Sequence, residues 1–448
     1  MSKIKQSVAG MMVRVSAGTT HDPERLRMLR SPLATLTVLT ALAGCGSSKA
    51  PSEPSTTPAA APINYGSTTP SAARPFKITP VATFDNPWAL AFLPDRKMLV
   101  TEKTGRLWLI NSDGAKVRVD GTPDVHFEGQ GGLLFVATSP TFPQSRQVYL
   151  TYSEPGEDGD GLALARATLD IDHAKPALRN VEVLWRQLPR GKGGQFGGYI
   201  AFSPDGRYLF LTSGERQRFT PAQDPDQALG KILRLTLDGK PAPGNPGAAK
   251  VGGTTITVID PPENSGSAAK AAGRKVTLDR PNLTPAETWT SGHRNPYGLA
   301  FDGQGRLWET EMGPQGGDEL NLIEPGRNYG WPVVSYGKNY DDTKIASHKG
   351  AAKFQEPALY WDPIVAPAGL TFYQGNMFPE WRGSAFVGGL ASTALIRIAF
   401  DGIVPREAER WDMGNRVRAV MTGPDGALWL LEDGSEGRLL RLTSRRAG

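Results

Sequence analysis

The sequence predicts an all-β fold, a six-bladed β-propeller, and two observations lead to that prediction. First, the 52 glycines and 37 prolines of this 448-residue chain are spread between strand-like runs, as expected of many short strands joined by turns. Second, one phrase recurs six times: a strand, a Pro-Asp-Gly or equivalent turn, a second strand that often ends in Glu, a Gly-Arg pair and a third strand. The closest copies lie about 45 residues apart, which is the size of one propeller blade.

The copies of this phrase define the predicted blades. They lie at residues 88–110, 132–152, 199–235, 296–311, 367–398 and 417–442. Phe76–Phe84 precedes the first copy, and we expect it to supply the outer strand of the last blade and so close the ring. A pair of β-sandwiches is the alternative, but it fits the repeated phrase less well. The interval 238–285, rich in Gly, Pro and Ala, is predicted to cross one face of the propeller.

Residues 1–45 are predicted to be a lipoprotein-type signal region. The apolar run 33–44 is too short to span a membrane as a helix and follows three arginines. It ends in Leu-Ala-Gly-Cys, which resembles the lipobox of bacterial lipoprotein signals, and Cys45 is the only cysteine of the chain. We therefore expect lipidation at Cys45 and a periplasm-facing lipoprotein of the cell envelope. Gly46 favours the outer membrane. An ordinary secretory peptide with an incidental cysteine is the alternative.

The next segment, 46–75, is rich in Ser, Pro, Thr and Ala, which predicts a disordered tether between the lipid and a propeller at 76–448. The net charge of +5 gives little further information, because the signal region contributes six Lys and Arg against two Asp and Glu. The charge of the remaining chain is close to neutral. No nucleic-acid partner is therefore predicted.

Residues 291–331 are predicted to form the floor of a binding site. Gly313-Pro314 and Gly316-Gly317 are positions where bare backbone can approach a ligand. Asp318 and Glu319 follow them, and carboxylate oxygens are ligands that calcium prefers. Such a concentration of turn residues and acids within one segment is typical of a site rather than of a mobile loop.

Three segments, GHRNPYGLAF, MGPQGGDELN and GRNYGWP, resemble the pyrroloquinoline quinone (PQQ) dependent aldose sugar dehydrogenase and soluble glucose dehydrogenase family. The resemblance extends over the whole predicted propeller, from Asn86-Pro87-Trp88 to 416–426. It implies a six-bladed propeller that holds PQQ and calcium on one face. It also implies oxidation of sugars by hydride transfer to the quinone.

The resemblance assigns roles to individual residues. It implies that the cofactor-binding residues are Gln130, Arg294, Asn295, Tyr340, Leu390, Arg416 and Arg418. It implies that calcium is bound by the carbonyls of Gly313 and Pro314 on the cofactor side and, at a structural site, by Glu319 and the backbone oxygen of Tyr329. The chemistry agrees, because PQQ carries three carboxylates and the planar fork of arginine grips carboxylates well.

Two departures from the family pattern fall at important positions. The family's catalytic base is a histidine in a His-x-Gly-Gly-Arg phrase, which here reads Gln195-Phe196-Gly197-Gly198-Tyr199. A glutamine amide can orient a hydroxyl group but is not basic enough to remove its proton. At Ala391 the family has a cofactor-binding lysine.

The histidines elsewhere in the chain are candidates for a replacement base. His126 is the best spare candidate. His293 is expected to be structural, and His173 and His348 are expected to face solvent.

Two functions therefore stay open at this stage. The first is a PQQ- and calcium-dependent dehydrogenase that acts on a sugar or alcohol, passes electrons to an external acceptor and is attached to a membrane by its lipid. The second is a calcium-binding propeller lipoprotein that has lost catalysis and binds a glycan or an envelope partner. The loss of histidine at Gln195 favours the second function, and the retained arginines favour the first.

Overall fold

The computed structural model of the protein describes residues 61–173 and 175–445, and these residues are mainly β-strands. In chain order the strands are β1 (Ile63–Asn64), β2 (Phe76–Phe84), β3 (Pro87–Phe92), β4 (Met98–Glu102), β5 (Arg106–Ile110), β6 (Lys116–Val119), β7 (Leu133–Thr138), β8 (Gln147–Glu154), β9 (Gly161–Asp170), β10 (Ala177–Arg186), β11 (Gly197–Phe202), β12 (Tyr208–Ser213), β13 (Lys231–Thr236), β14 (Thr255–Val258), β15 (Arg274–Thr277), β16 (Thr288–Ser291), β17 (Pro296–Phe301), β18 (Leu307–Glu311), β19 (Asp318–Ile323), β20 (Leu359–Trp361), β21 (Pro367–Phe372), β22 (Ala385–Gly389), β23 (Ala394–Asp401), β24 (Val404–Asp412), β25 (Val417–Thr422), β26 (Leu428–Glu432) and β27 (Gly437–Ser444).

Helical structure is limited to single turns. The α-helices are α1 (Phe142–Ser145), α2 (Ser265–Ala268) and α3 (Thr284–Glu287), and 3₁₀ turns occur at Thr220–Gln223 and Pro379–Trp381. Within the described ranges no helix is long and apolar enough to cross a membrane.

The strands form six antiparallel blades of four strands each, the fourth of which is extended by a fifth, parallel strand, and this confirms the six-bladed propeller. The blades are β3–β6, β7–β10, β11-β12-β13-β16, β17–β20, β21–β24, and β25–β27 completed by β2. Each repeat of the sequence phrase coincides with one blade. The interval 238–285 leaves the third blade and carries a separate hairpin, β14–β15.

The last blade is closed by the first long strand, as predicted. Strand β2 pairs antiparallel with β27, with Phe76 opposite Ser444 and Phe84 opposite Gly437. Phe76 is fully buried and packs edge-on against Trp411, with the ring centroids 5.3 Å apart. The two ends of the propeller chain are therefore joined by a hydrogen-bonded ladder and by an aromatic contact.

The first strand of each blade lies innermost, and these six strands contact one another around the axis. Each of them has an irregular register near its beginning, for example between Pro296 and Gly298 in β17 and between Val417 and Ala419 in β25. A bulge bends the strand and re-aims the side chains next to it. The residues at the beginning of the inner strands are thereby turned toward a common face.

The folded region begins earlier than the predicted boundary at residue 76. Strand β1 adds to the fourth blade by parallel pairing with β20, with Ile63 opposite Leu359. The amide of Ser71 donates to the carbonyl of Arg410 over 2.7 Å. Residues 61–75 of the predicted tether 46–75 are thus held by hydrogen bonds between backbones and by bonds from the side chains of Arg410 and Trp411 to backbone carbonyls, which composition does not reveal. Cys45 and the rest of the signal region and tether lie outside the described residues.

Candidate active site

Four of the sequence-predicted site residues form one hydrogen-bonded group, and three of them, Gln130, Gln195 and Arg294, lie just before inner strands. The backbone amide of Gln195 donates to Oε1 of Gln130 over 2.8 Å, and the Tyr297 hydroxyl donates to the same oxygen over 3.1 Å. With its side-chain amide oriented so that oxygen faces donors and nitrogen faces acceptors, Gln195 accepts from Arg294 Nη2 over 2.9 Å. Nη2 of Arg294 also donates to the hydroxyl of Tyr340 over 3.2 Å.

A second group lies at the beginning of β25. Arg416 and Arg418 both bind Asp433, at 2.8 Å and 2.9 Å, and Arg416 Nη1 donates to the carbonyl of Leu390 over 3.2 Å. Burial alone would raise the pKa of the Asp433 carboxyl, but Arg418 and Arg416 hold it below its usual range. The structure therefore brings together the two predicted arginines and Leu390.

The two groups meet at the centre of the propeller. The guanidinium of Arg418 lies 4.4 Å from the centroid of the Trp88 ring and 6.0 Å from that of Tyr297. Tyr297 in turn donates to Gln130, so the second group continues into the first. The predicted cofactor-binding residues thus surround one region of the central face.

Arg294 and Asn295 carry polar atoms without a partner. Arg294 is 5% exposed and Asn295 is 1% exposed, yet Nε of Arg294 and Oδ1 of Asn295 make no hydrogen bond to any described residue. Buried polar atoms are normally paired, and unpaired ones on two successive residues point to a missing ligand or water. Both atoms belong to residues that the sequence assigns to the cofactor.

A cluster of buried carboxylates lies beside this group. Nδ2 of Asn321 contacts the carboxylates of Glu309, Glu311 and Glu319 at 3.1, 3.3 and 3.2 Å. An amide has only two N–H groups for these three acceptors. Oε1 of Glu309 has no partner in the part of the chain that the structure describes. One oxygen of Glu309 is therefore left without a donor inside a group of three buried carboxylates.

Burial and mutual repulsion shift the pKa values of these carboxyl groups. Burial and the neighbouring Glu311 raise the pKa of Glu309 well above its usual range. Burial also raises the pKa of Glu319, although His348 opposes the rise. Ligand atoms of His293, Glu309 and Glu311 lie within 4.8 Å of one another. Either protons or a bound cation must compensate such a group.

A small cavity adjoins the cluster and has the size of one ion or water. Its volume is about 10 Å³, and Glu311, Glu319, Tyr329 and Gly313 line it. The Tyr329 hydroxyl already contacts the Leu322 carbonyl over 2.5 Å, so the backbone carbonyl of Tyr329 is the oxygen left for a cation. The structure thus places Glu319 and Tyr329 around one cation-sized space.

The Gly313-Pro314 turn is held by Arg294 and Asp318. The Gly313 carbonyl accepts from Arg294 Nη1 over 2.7 Å, and the Gly313 amide donates to Asp318 over 2.8 Å. Burial raises the pKa of Asp318 to about 7, against three backbone hydrogen bonds that lower it. In this structure the Gly313 oxygen is engaged by an arginine, so the geometry supports a cation beside Glu319 more strongly than one at Gly313 and Pro314.

The histidines separate into different environments. His126 binds Asp160 through Nδ1 over 2.7 Å, and its Nε2 lies 3.3 Å from Glu128. His293 is buried in the wall of the cluster, where it contacts Glu311 and stacks on Tyr329. The side chain of His173 is 75% exposed, as predicted.

The prediction for His348 was wrong. This residue is buried, lies 3.5 Å from Glu319 and stacks on Tyr336. The loop-like sequence around His348 does not indicate that the ring of Tyr336 stacks on it and shields it from solvent.

Sequence reasoning also missed Glu215, Glu309 and Asn321. A signal for Glu215 did exist, because the repeated phrase often places Glu at or just after the end of the second strand. In the first and last blades this Glu pairs with the arginine of the Gly-Arg step, as Glu102 does with Arg106 and Glu432 with Arg438. Glu215 instead contacts the Gln195 amide. In the third blade the Gly-Arg step reads Gly230-Lys231, so Glu215 has no such arginine, and this absence could have pointed to a different role for it.

The Glucose / Sorbosone dehydrogenase family model matches residues 84–257 and 267–441. The chain belongs to this family. Aldose sugar dehydrogenase YliI of Escherichia coli (strain K12) is 38% identical over 371 residues, which cover 81% of this chain and 91% of that protein. Membership confirms the family resemblance that the motifs indicated.

Solved structures agree with this assignment. The soluble aldose sugar dehydrogenase of Escherichia coli, solved in the apo form, has a TM-score of 0.71 and 36% identity over 83% of this chain and 100% of that one. The PQQ-bound aldose sugar dehydrogenase of Streptomyces coelicolor has a TM-score of 0.63 and 28% identity over 84% and 99% of the two chains. These relatives of the chain are sugar dehydrogenases, that is, oxidoreductases.

Proposed function

We propose that this protein is a quinoprotein dehydrogenase of the bacterial cell envelope that oxidises aldose-type sugars or related alcohols, with PQQ held over calcium. One observation carries the proposal: the successive buried residues Arg294 and Asn295 carry the unpaired atoms Nε and Oδ1, and Arg294 is hydrogen-bonded to Gln195 and Tyr340. The names of the relatives support the choice of a sugar substrate and of PQQ.

The residues present suit an anionic quinone. Arg294 supplies a guanidinium with a free N–H, and Arg416 and Arg418 supply two more close to Leu390. Arginine forks are the side chains best matched to carboxylates. Gln130 and Asn295 add amide groups that hydrogen-bond oxygen-rich rings. We infer that these residues and Tyr340 bind the cofactor.

The chemistry divides between the cofactor and the chain. PQQ, when bound, supplies the acceptor for the hydride that leaves the substrate carbon. Gln195 accepts a hydrogen bond from the substrate hydroxyl and orients it, because its amide oxygen keeps a second lone pair beside the one used by Arg294, and the hydroxyl proton passes to water as the carbonyl forms. Arg294 favours negative charge that develops near it.

Calcium is proposed as the cation of the acidic cluster. Glu319 and the Tyr329 carbonyl are oxygen donors around the small cavity, and Glu311 adds a third. Calcium takes carboxylate and backbone carbonyl oxygens of this kind. The carbonyls of Gly313 and Pro314 remain proposed ligands on the cofactor side. A cation here offsets the buried charge of Glu309, Glu311 and Glu319.

Reconstitution tests the function directly. The protein is mixed with PQQ and calcium chloride, cofactor uptake is followed by absorbance, and dye reduction is measured with a panel of aldoses and simple alcohols. Uptake with turnover supports the dehydrogenase. No uptake at micromolar PQQ would overturn it. Uptake without turnover, restored by Gln195→His, would instead favour the binding lipoprotein.

The envelope location and the external electron acceptor are part of the same proposal, and the sequence of the signal region supports them. We propose that Cys45 carries the lipid. The full-length protein and a Cys45→Ser variant are expressed in a Gram-negative host, and the membrane and soluble fractions are compared. Release of the variant from the membrane is expected. Equal membrane association of both proteins would refute the anchor.

A further inference from the structure

A carboxylate lies directly behind Gln195. Glu215 is 1% exposed and follows β12. Its Oε1 accepts a hydrogen bond from the Gln195 side-chain amide, and its Oε2 accepts one from the backbone amide of Phe219. The backbone amide of Glu215 donates to the Arg294 carbonyl over 3.0 Å. Glu215 therefore touches both residues that form the centre of the proposed site.

The turn that carries Glu215 is strained and firmly held. Arg216, Gln217 and Phe219 have φ angles of 64°, 58° and 61°, values that residues with a Cβ rarely adopt. Nε of Arg216 donates to the Gly193 carbonyl over 2.9 Å, and Nη2 of Arg218 donates to the Lys192 carbonyl over 2.7 Å. Two buried arginines thus fasten this turn to the loop that leads into Gln195, which fixes the distance between Glu215 and the amide.

We propose that Glu215 is a positioning residue for the dehydrogenase reaction and acts by fixing the orientation of the Gln195 amide. The inference rests on the proposed function and extends it. An ionised carboxylate only accepts hydrogen bonds, so the NH₂ of Gln195 must face Glu215 and its oxygen must face Arg294. The oxygen is then available to the substrate hydroxyl. Without Glu215 the amide is free to turn and present its NH₂ instead.

The charges around Glu215 define a pH dependence. Burial raises the pKa of Glu215 to about 7, against the lowering effect of Arg294 and Arg218. Arg216 is the third charged group beside it. Below this pH a protonated Glu215 can donate to the amide oxygen and so reverse the amide. The orienting effect is therefore expected to appear as the pH rises through about 7.

The kinetic test compares Glu215→Gln with a matched buried control. Glu287→Gln also replaces a buried glutamate, one that accepts from Trp185 Nε1 over 3.0 Å away from Gln195. We expect Glu215→Gln to lower kcat ten- to a hundredfold, the range for one charge-assisted hydrogen bond, with a smaller change in KM. In Glu215→Gln the rise of kcat near pH 7 should disappear. Glu215→Asp should restore part of kcat and part of its pH dependence. Wild-type kcat and pH profile in Glu215→Gln would overturn the proposal.

A second measurement needs neither cofactor nor turnover. In Gln195→His the introduced ring takes the place of the amide beside Glu215, and its titration is followed by NMR with and without the added Glu215→Gln change. An adjacent carboxylate should raise the pKa of the imidazole by one unit or more. Equal pKa values in both backgrounds would refute the contact. Failure of the proposed function would show separately, as absence of PQQ uptake by the wild type.

Discussion

Nη1 of Arg294 donates to the carbonyl oxygen of Gly313 over 2.7 Å. This bond joins a predicted cofactor-binding arginine to a predicted cation-binding carbonyl. The guanidinium also lies 5.2 Å from the centroid of the Trp331 ring and reaches the Tyr340 hydroxyl. Arg294 is therefore the residue through which the proposed quinone region and the proposed cation region contact each other.

Arg294→Ala is predicted to weaken PQQ binding at least tenfold. The change removes a buried guanidinium whose Nε has no protein partner and is available to a carboxylate. Affinity is measured by titrating the apo protein with PQQ at fixed calcium. Arg207→Ala is the control, because this arginine is exposed and forms an ion pair with Asp205; it should stay within about twofold of wild type. Equal affinity of both variants would contradict the role of Arg294.

Calcium is predicted to raise the melting temperature of the protein, and chelation to lower it. A ligand that binds only the folded state stabilises it by about 2.7 kcal/mol at a concentration of a hundred times Kd. Glu319→Gln removes one oxygen ligand and part of the buried charge, so the calcium-dependent shift should shrink or vanish. Thermal melts across a calcium series measure it. Glu436→Gln, on the surface, is the control and should respond like wild type.

The fold could be predicted because each blade contains the same short sequence phrase. Every copy of the phrase contains the turn that joins its strands, so it marks a blade without knowledge of its neighbours. That residues 61–75 are structured could not be predicted in this way. Ser71 is held by the backbone of Arg410, and such a bond does not depend on side-chain type.

The site residues that belong to sequence motifs could be predicted, whereas those defined by tertiary contacts could not. Gln130, Arg294 and Arg418 belong to motifs, and the structure brings them to one region. Glu215 belongs to a repeated position whose partners are set by the tertiary structure. Its counterpart Glu432 pairs with Arg438 on the next strand of its own blade, whereas Glu215 contacts the amide of Gln195 in the loop before the first strand of its blade. A glutamate at the same position of the repeated phrase can thus form an ordinary ion pair in one blade and belong to the site in another.

The stability of the protein is predicted to carry a contribution from Glu215 that decreases with pH. Its pKa is about 7 in the folded protein against 4.5 as the ordinary value. The folded state therefore keeps a proton that the unfolded state loses, and the stabilisation present below about pH 4.5 is lost as the pH rises through about 7. The shift corresponds to about 3 kcal/mol.

Urea unfolding at pH 5 and pH 8 checks this contribution. Between these two values the free energy of unfolding of wild type should fall more than that of Glu215→Gln, by up to about 3 kcal/mol. Glu436→Gln, which removes an exposed carboxylate, should reproduce the wild-type difference. A Glu215→Gln variant with the full wild-type pH dependence would mean that Glu215 is already ionised at pH 5 in the folded protein.

Closure of the ring by β2 predicts that Phe76 is among the most sensitive positions of the fold. Phe76→Ala removes a fully buried ring that contacts Trp411 and Trp381, at the site where the first long strand meets the last. Truncation of a buried phenylalanine costs about 3–5 kcal/mol.

The control for this change is Ile63→Ala in strand β1, which precedes β2 in the chain and pairs with the fourth blade. Ile63 is 55% exposed, so its truncation should cost less than about 1 kcal/mol. Denaturant unfolding of both variants measures the difference. If β2 closes the ring, Phe76→Ala should also increase proteolysis of the last blade in the native protein, because loss of the closing strand leaves β27 as a free edge. Equal stability of the two variants would show that the propeller stays closed without this contact.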